Sequence, residues 1–175
     1  MKFIRLAVAV AMTFLAVAVG TTSASATPVV HHTRPATAAE LKLLSTYPIH
    51  PLSNRGTCLD VYANGKGPWV QVWTCNGQNN QQFYAVNYAD NSEIRSADTW
   101  CVDGRYGRGA SLQHAQCTGI VGQRFRAGYD LDTGAYFFES VQYPGQVWDV
   151  YANGQGTEVQ LWDENLTPNQ EWVLP

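Results

Sequence analysis

The sequence has no apolar run long enough to cross a bilayer, no paired arginines near its start, no clustered basic face and no CxxC pair. Each absence removes a class of protein. The longest apolar stretch, Leu6 to Val19, is shorter than the roughly 20 residues that a spanning helix needs. It follows Lys2 and Arg5 and precedes small polar residues and the triplet Ala24-Ser25-Ala26, which is the layout of a secretory signal peptide. Residues 1–26 are therefore expected to be removed, leaving a secreted, extracellular chain that starts at Thr27 and does not insert into membranes. Because Arg5 stands alone, export in the unfolded state by the general route is expected.

Loss of Lys2 and Arg5 leaves 9 basic residues against 14 acidic ones, a net charge of −5. The basic residues, among them Arg55, Lys66, Arg105 and Arg124, are scattered between glycines and aspartates. Nucleic acid is bound by a basic face that releases counterions, so it is not expected as a partner. Catalytic signatures are missing as well: there is no HExxH, no phosphate-binding loop and no Ser/His/Asp arrangement. Neither enzymatic activity nor a cofactor is expected.

The four cysteines fall as two pairs, Cys58 with Cys75 and Cys101 with Cys117, spaced 17 and 16 positions apart. In an exported protein this spacing reads as two local disulfides, although four cysteines allow three connectivities. A zinc site would need ligands at CxxC or paired-histidine spacing beside them. The neighbouring His31 and His32 sit in a terminal segment and read as solvated, so no metal is expected.

Thr27 to Tyr47 is rich in Thr, Ala, His and Pro and reads as a leader or linker (residues 27–47). Within it only Ala38 to Leu44, capped by Thr37, suits a short helix. From Tyr47 onward the chain repeats itself. Asp60-Val61-Tyr62-Ala63-Asn64-Gly65 recurs letter for letter as Asp149-Val150-Tyr151-Ala152-Asn153-Gly154. Val70-Gln71-Val72-Trp73 returns as Val159-Gln160-Leu161-Trp162, and Asn80-Gln81-Gln82-Phe83 as Asn169-Gln170-Glu171-Trp172. A weaker middle copy holds Cys101-Val102-Asp103-Gly104, Leu112-Gln113-His114-Ala115 and Gly122-Gln123-Arg124-Phe125. Its aspartate lies 43 residues after Asp60 and 46 before Asp149.

Each copy consists of short alternating or aromatic runs parted by Asn-Gly and Asp-Gly turns, the pattern of strands and hairpins. In the first copy these runs are Ile49–Ser53, Cys58–Val61, Val70–Trp73 and Gln82–Val86. A propeller typically needs at least four blades, and there are three copies. The expected fold is all-β: a β-trefoil of three repeats of about four strands, over residues 48–175. The cysteines agree with this alignment. In the third copy Val147 and Glu164 replace both members of the first pair, the joint loss that a bonded pair predicts.

The three Gln-x-aromatic tripeptides Gln81-Gln82-Phe83, Gln123-Arg124-Phe125 and Gln170-Glu171-Trp172 resemble the signature of the ricin B-type lectin family. The upstream Cys58-Leu59-Asp60 and Val70-Gln71-Val72-Trp73 segments stand in the expected order, and the resemblance extends over the chain after the leader. It implies that Phe83, Phe125 and Trp172 fill the core while each glutamine bonds within its own repeat. It also implies a sugar pocket in each intact copy. A pyranose offers a C–H face, covered by an aromatic platform, and hydroxyls, held by a carboxylate and by amides that both donate and accept. The first copy supplies Asp60, Gln71, Trp73, Asn80 and Gln81, and the third supplies Asp149, Gln160, Trp162, Asn169 and Gln170. In the middle copy Asp103 and Gln113 survive, but Ala115 stands at the platform position and Gly122 at the amide position, so this pocket is expected to be degenerate. Strand alternation turns His114 to the opposite face.

The implied ligands are galactose, lactose, or xylan-like polysaccharide and surface glycans, bound by a monomer. Two other functions are weaker. A glycosidase holds its two carboxylates roughly 5 to 10 Å apart across one bond, whereas Asp60 and Asp149 belong to different lobes. A β-trefoil protease inhibitor would act through a protruding loop and would have no use for the repeated pocket residues.

Overall fold

The computed structural model describes residues 30–42, 48–65, 67–86, 90–153 and 156–174. The expected signal segment, residues 1–26, lies outside the described residues. No described helix is long and apolar enough to cross a membrane.

The three copies each contribute four strands among the described residues. The first holds β2 (His50–Pro51), β3 (Thr57–Val61), β4 (Val70–Thr74) and β5 (Phe83–Val86). The second holds β6 (Glu93–Ser96), β7 (Cys101–Asp103), β8 (Gln113–Ala115) and β9 (Phe125–Asp130), and the third β10 (Ala135–Ser140), β11 (Gln146–Val150), β12 (Val159–Asp163) and β13 (Trp172–Val173). Within every copy the second and third strands form an antiparallel hairpin. The fourth strand of each copy pairs with the first strand of the next: β5 with β6, β9 with β10, and β13 back to β2. That closure makes the chain a β-trefoil and leaves no free edge at the junction of its ends. The third strands meet near the centre, where Val70 N–H donates to Leu112 O at 2.9 Å and Leu112 N–H to Val159 O at 2.7 Å.

Alternation decides which side chains face inward. Along β5, Phe83 and Ala85 are buried while Tyr84 and Val86 are half-buried. Phe83, Phe125 and Trp172 are all buried, as the tripeptide signature implies. The core is not symmetric, however. Trp148 stands where the first copy has Leu59, and it meets Phe125 and Trp172 edge-on at ring-centroid distances of 5.1 and 6.1 Å. Both disulfides, Cys58–Cys75 and Cys101–Cys117, form as the spacing suggests.

The expected first strand, Ile49–Ser53, shortens to β2 because Asn54 N–H turns back to Pro51 O at 3.2 Å. The leader differs more. Rather than running as a plain linker, Thr33–Pro35 forms β1, an edge strand on β9, with Thr33 opposite Asp130 and Pro35 opposite Gly128. Proline is tolerated there because an edge strand leaves one row of amides unpaired. The helix α1 (Ala38–Lys42) then starts in a capping box: Thr37 N–H donates to Glu40 Oε2 at 2.7 Å, and Glu40 N–H to Thr37 Oγ1 at 3.3 Å. Leu41 from this helix is buried in the core. The remainder of the expected helix, Leu43 and Leu44, lies outside the described residues. His31 is not simply solvated either: its Nδ1 lies 2.7 Å from Oδ2 of the buried Asp130, while His32 stays exposed beside Asp132.

Candidate binding pockets

Hairpin register sets the first contact in each pocket. Asp60 on β3 faces Gln71 on β4, and Asp149 on β11 faces Gln160 on β12. Gln71 Nε2 consequently donates to Asp60 Oδ1 at 2.9 Å, and Gln160 Nε2 to Asp149 Oδ1 at 2.9 Å. The 3-10 turn Asn79–Gln81 carries the other two donors, Asn80 Nδ2 at 2.7 Å and Gln81 Nε2 at 3.0 Å from Asp60 Oδ2. Asn169 and Gln170 repeat this on Asp149 Oδ2 at 2.7 and 3.1 Å. The glutamines also hold their own turns, since Gln81 Oε1 accepts from Asn76 N–H at 2.8 Å and Gln170 Oε1 from Asn165 N–H at 2.8 Å.

Each carboxylate is thus caged by three amides and nearly buried. A carboxylate has about four acceptor sites, so the three amide bonds leave one on Oδ1. Burial pushes the Asp60 carboxyl above its ordinary value, and the bonds from Gln71, Gln81 and Asn80 partly oppose that rise.

A wall and a platform complete the first pocket. The short helix α2 (Tyr62–Gly65) turns the chain immediately after β3, with Ala63 in the left-handed region at φ 53°. Ala152 takes the same conformation in the third copy at φ 55°. For a residue other than glycine this costs about 1 kcal/mol or more, and its recurrence beside both caged aspartates ties the strain to the pockets. Tyr62 stacks on Trp69 at 4.6 Å, which fixes the wall. Trp73, 42% exposed, faces it across a cleft of about 250 Å³ lined by Asp60, Tyr62, Ala63, Gln71 and Trp73. In the third copy Trp162 is half-buried because the Arg108 guanidinium lies 3.9 Å from its ring centre, anchored by Arg108 Nε to Asp163 Oδ2 at 2.8 Å.

The middle copy keeps the carboxylate and fills the pocket. Asp103 is buried and still accepts from Gln123 Nε2 at 2.9 Å, but its remaining bonds come from Arg105, through the guanidinium and through the backbone N–H at 2.9 Å. Gln113 does not join the cage and donates instead to Ser111 O at 3.0 Å. Gly122 makes this possible: a Cβ there would lie 2.8 Å from Arg105 Cβ. The sequence signal for the replacement was the Asn-to-Gly change, which vacates the space an arginine can occupy. His114 points away from the platform position, buried against Ser96 Oγ at 2.8 Å and stacked on Trp100.

Ser96, His114 and Asp98 do come together, although no such arrangement shows in the sequence. Serine and aspartate both approach the same nitrogen, His114 Nε2, at 2.8 and 3.2 Å. A nucleophilic triad needs the carboxylate on the other ring nitrogen, so this cluster is not wired as a relay. Two groupings of possible metal ligands, His50 with Cys58 and Cys75 and Glu93 with Cys101 and Cys117, have their sulfurs committed to disulfides.

The trefoil and its two amide-caged aspartates, each beside a tryptophan that is exposed in the first copy and half-buried in the third, have the form of a carbohydrate-binding lectin domain. The chain is a member of the ricin-type beta-trefoil lectin domain family, whose profile matches residues 45–172. No curated protein sequence matches it significantly. Among solved structures it is similar to the designed threefold symmetric protein ThreeFoil, with a TM-score of 0.65 and 21% identity over 72% of this chain and 94% of that one. It is similar to the Macrolepiota procera ricin B-like lectin, solved in complex with lactose, at a TM-score of 0.62 and 19% identity over 73% and 91% of the two chains. It also resembles part of the exo-beta-1,3-galactanase 1,3Gal43A from Clostridium thermocellum, at a TM-score of 0.63 and 24% identity, covering 73% of this chain but 29% of that enzyme. These likenesses show the fold.

Proposed function

We propose that the chain is a secreted, monomeric lectin that binds galactose-type sugars or cell-wall polysaccharide through two pockets, centred on Asp60 and Asp149. The observation that carries this reading is the doubled cage. The same three amides hold the same carboxylate at matching distances in the first and third copies, each with a tryptophan from the adjoining strand. A buried carboxylate caged for structural reasons alone would not need a tryptophan beside it, and Asp103 in the middle copy has Ala115 at that position. The lactose held by the Macrolepiota procera lectin, on the same fold, supports a galactose-type ligand. In the middle copy the Arg105 guanidinium takes the place of the asparagine amide on Asp103 Oδ2 and the Arg105 backbone N–H occupies Oδ1, which leaves this buried carboxylate no acceptor for a sugar, so that copy is silent. Export through the signal peptide at residues 1–26 gives a mature chain beginning at Thr27.

The test is calorimetric titration of the mature chain with galactose and lactose. Two sites per chain are expected, each near 1 mM, or about −4 kcal/mol, as suits a shallow monosaccharide pocket. No heat with either sugar, together with no signal on a glycan array, overturns the reading.

A further inference from the structure

A second cleft is lined in part by Asn80, whose amide is bonded to Asp60 of the first pocket at 2.7 Å. It begins with a hollow of about 290 Å³ lined by residues that include Val61, Gly65, Asn80 and Asp98. A further hollow of about 440 Å³ shares Gly65 and Asp98 with it and adds Pro68, Trp100 and His114. The cleft lies between the α2 loop of the first copy and the turn that follows β6 in the second, so it belongs to no single repeat.

Three features mark it as a polar binding surface. Trp100 is 40% exposed and is held flat against His114 at 5.3 Å, the disposition of a stacking platform. Asp98 is an exposed carboxylate whose Oδ1 is fixed by Ser96 and His114. Although partial burial pulls the other way, those hydrogen bonds hold it below its ordinary range, so it is an ionised acceptor at neutral pH. The third feature is Asn80 itself, a buried side chain. Its Nδ2 is turned to Asp60 and its Oδ1 has no partner. In the third copy the equivalent oxygen, Asn169 Oδ1, has a hydroxyl within reach: Thr167 Oγ1 lies 2.6 Å away and is shared with Asn165 Oδ1, also at 2.6 Å. The first copy has Gln78 at that position, with no hydroxyl to offer. A buried acceptor without a partner is unfavourable, and this one belongs to a side chain that both cages Asp60 and lines the second cleft.

We infer that the first pocket is extended by a second sugar subsite. The next residue of a linear glycan passes Asn80, donates a hydroxyl to its free oxygen after a small rotation of the amide, and stacks on Trp100 beside Asp98. The first copy then recognises an oligosaccharide, whereas the third recognises a single residue. This rests on the lectin reading above, and the test separates the two.

The mature chain carrying Asp149→Ala, which leaves the first pocket alone, is titrated with galactose against lactose and with xylose against xylotriose. For at least one pair the longer glycan is expected to bind more tightly. Trp100→Ala is expected to leave the monosaccharide affinity unchanged and to lower that of the longer glycan about five- to tenfold. Gln78→Thr, at an exposed position, supplies the hydroxyl that Thr167 supplies in the third copy and is expected to lower the longer glycan's affinity with Trp100 intact. A longer glycan that binds no better than its monosaccharide, or an advantage unchanged in both variants, overturns the subsite. Failure of every sugar to bind the unaltered protein overturns the lectin reading instead.

Discussion

Arg105 closes on Asp103 in the space that an asparagine amide occupies beside Asp60 and Asp149. The two changes that fill the middle copy's pocket are one structural event. With Asn at position 122 the side chain would collide with Arg105, and without Arg105 the loss of that amide would leave Asp103 buried with Gln123 as its one side-chain donor. A buried carboxylate short of donors is costly, so the arginine compensates for the missing amide.

The first prediction follows. Asp103→Ala removes a carboxylate that supports the fold and that the proposed function assigns no sugar contact. It should lower the melting temperature by several degrees, consistent with a loss of about 1–3 kcal/mol. Calorimetric stoichiometry with galactose should be unchanged. A fall in stoichiometry would show that the middle pocket binds despite Arg105.

The second prediction concerns the caged aspartates. Asp60→Ala and Asp149→Ala each leave three amide donors facing a small cavity, so both should destabilise the protein by about 1–3 kcal/mol while circular dichroism still reports the β-trefoil. Each should remove one binding site of two. The first pocket should also respond to acid in a particular way. Binding needs the carboxylate form, and burial raises the Asp60 value, so galactose affinity should fade as pH drops through a value above that of an ordinary aspartate. The Asp149→Ala variant, titrated across acidic pH, reads this directly. An acid limb at or below the ordinary aspartate value would contradict it.

Much of this was legible in the sequence because repetition supplies three readings of one structure. Turns, strands, the paired cysteines and the Gln-x-aromatic core positions could each be checked against another copy. What could not be read is whatever breaks the symmetry. Arg105 bonding to Asp103 two residues away has no counterpart to compare with, and Gly-Arg-Tyr-Gly looks like an ordinary loop. Trp148 in place of Leu59 changes the core's volume without changing its hydrophobic pattern. The leader failed for a different reason: Thr33–Pro35 is too short for alternation to show, and its pairing with β9 is a contact across about a hundred residues that no local pattern encodes.

The third prediction concerns that leader. Arg34 Nη2 lies 2.7 Å from Glu40 Oε1, and this ion pair, with the Thr37 bonds, holds the Glu40 carboxyl down from its ordinary 4.5 to about 2. A depressed carboxylate contributes stability that is complete above its unfolded value and is lost as pH falls through its folded one. The grip of β1 and α1 on the trefoil should therefore weaken between about pH 4.5 and 2. The protection factor at Leu41, taken against intrinsic exchange at the same pH, should fall over that window, and in Arg34→Ala it should be lower already at pH 7. Protection of Leu41 that is indifferent to both changes would mean that apolar contacts alone hold the leader.

The last prediction concerns the unequal platforms. In the first copy the sugar cleft lies between Trp73 and the α2 loop of the same copy. Arg108 reaches Trp162 from the preceding copy instead, its guanidinium 3.9 Å from the ring centre and tied to Asp163. A cation held over a tryptophan contributes about 0.5–2 kcal/mol, which here keeps the platform in place. Arg108→Ala should accordingly weaken the third pocket severalfold and leave the first unaltered, as read by galactose titration in Asp60→Ala and Asp149→Ala backgrounds. Two such pockets on one rigid body would engage a polysaccharide together, with an avidity gain on the order of 10² when their spacing matches the ligand. Retention on a galactose-bearing matrix should therefore fall disproportionately in Arg108→Ala, and collapse in Trp73→Ala or Trp162→Ala. Stronger sugar binding in Arg108→Ala would place the guanidinium on the sugar face, making Arg108 a plug of the third pocket instead of its support.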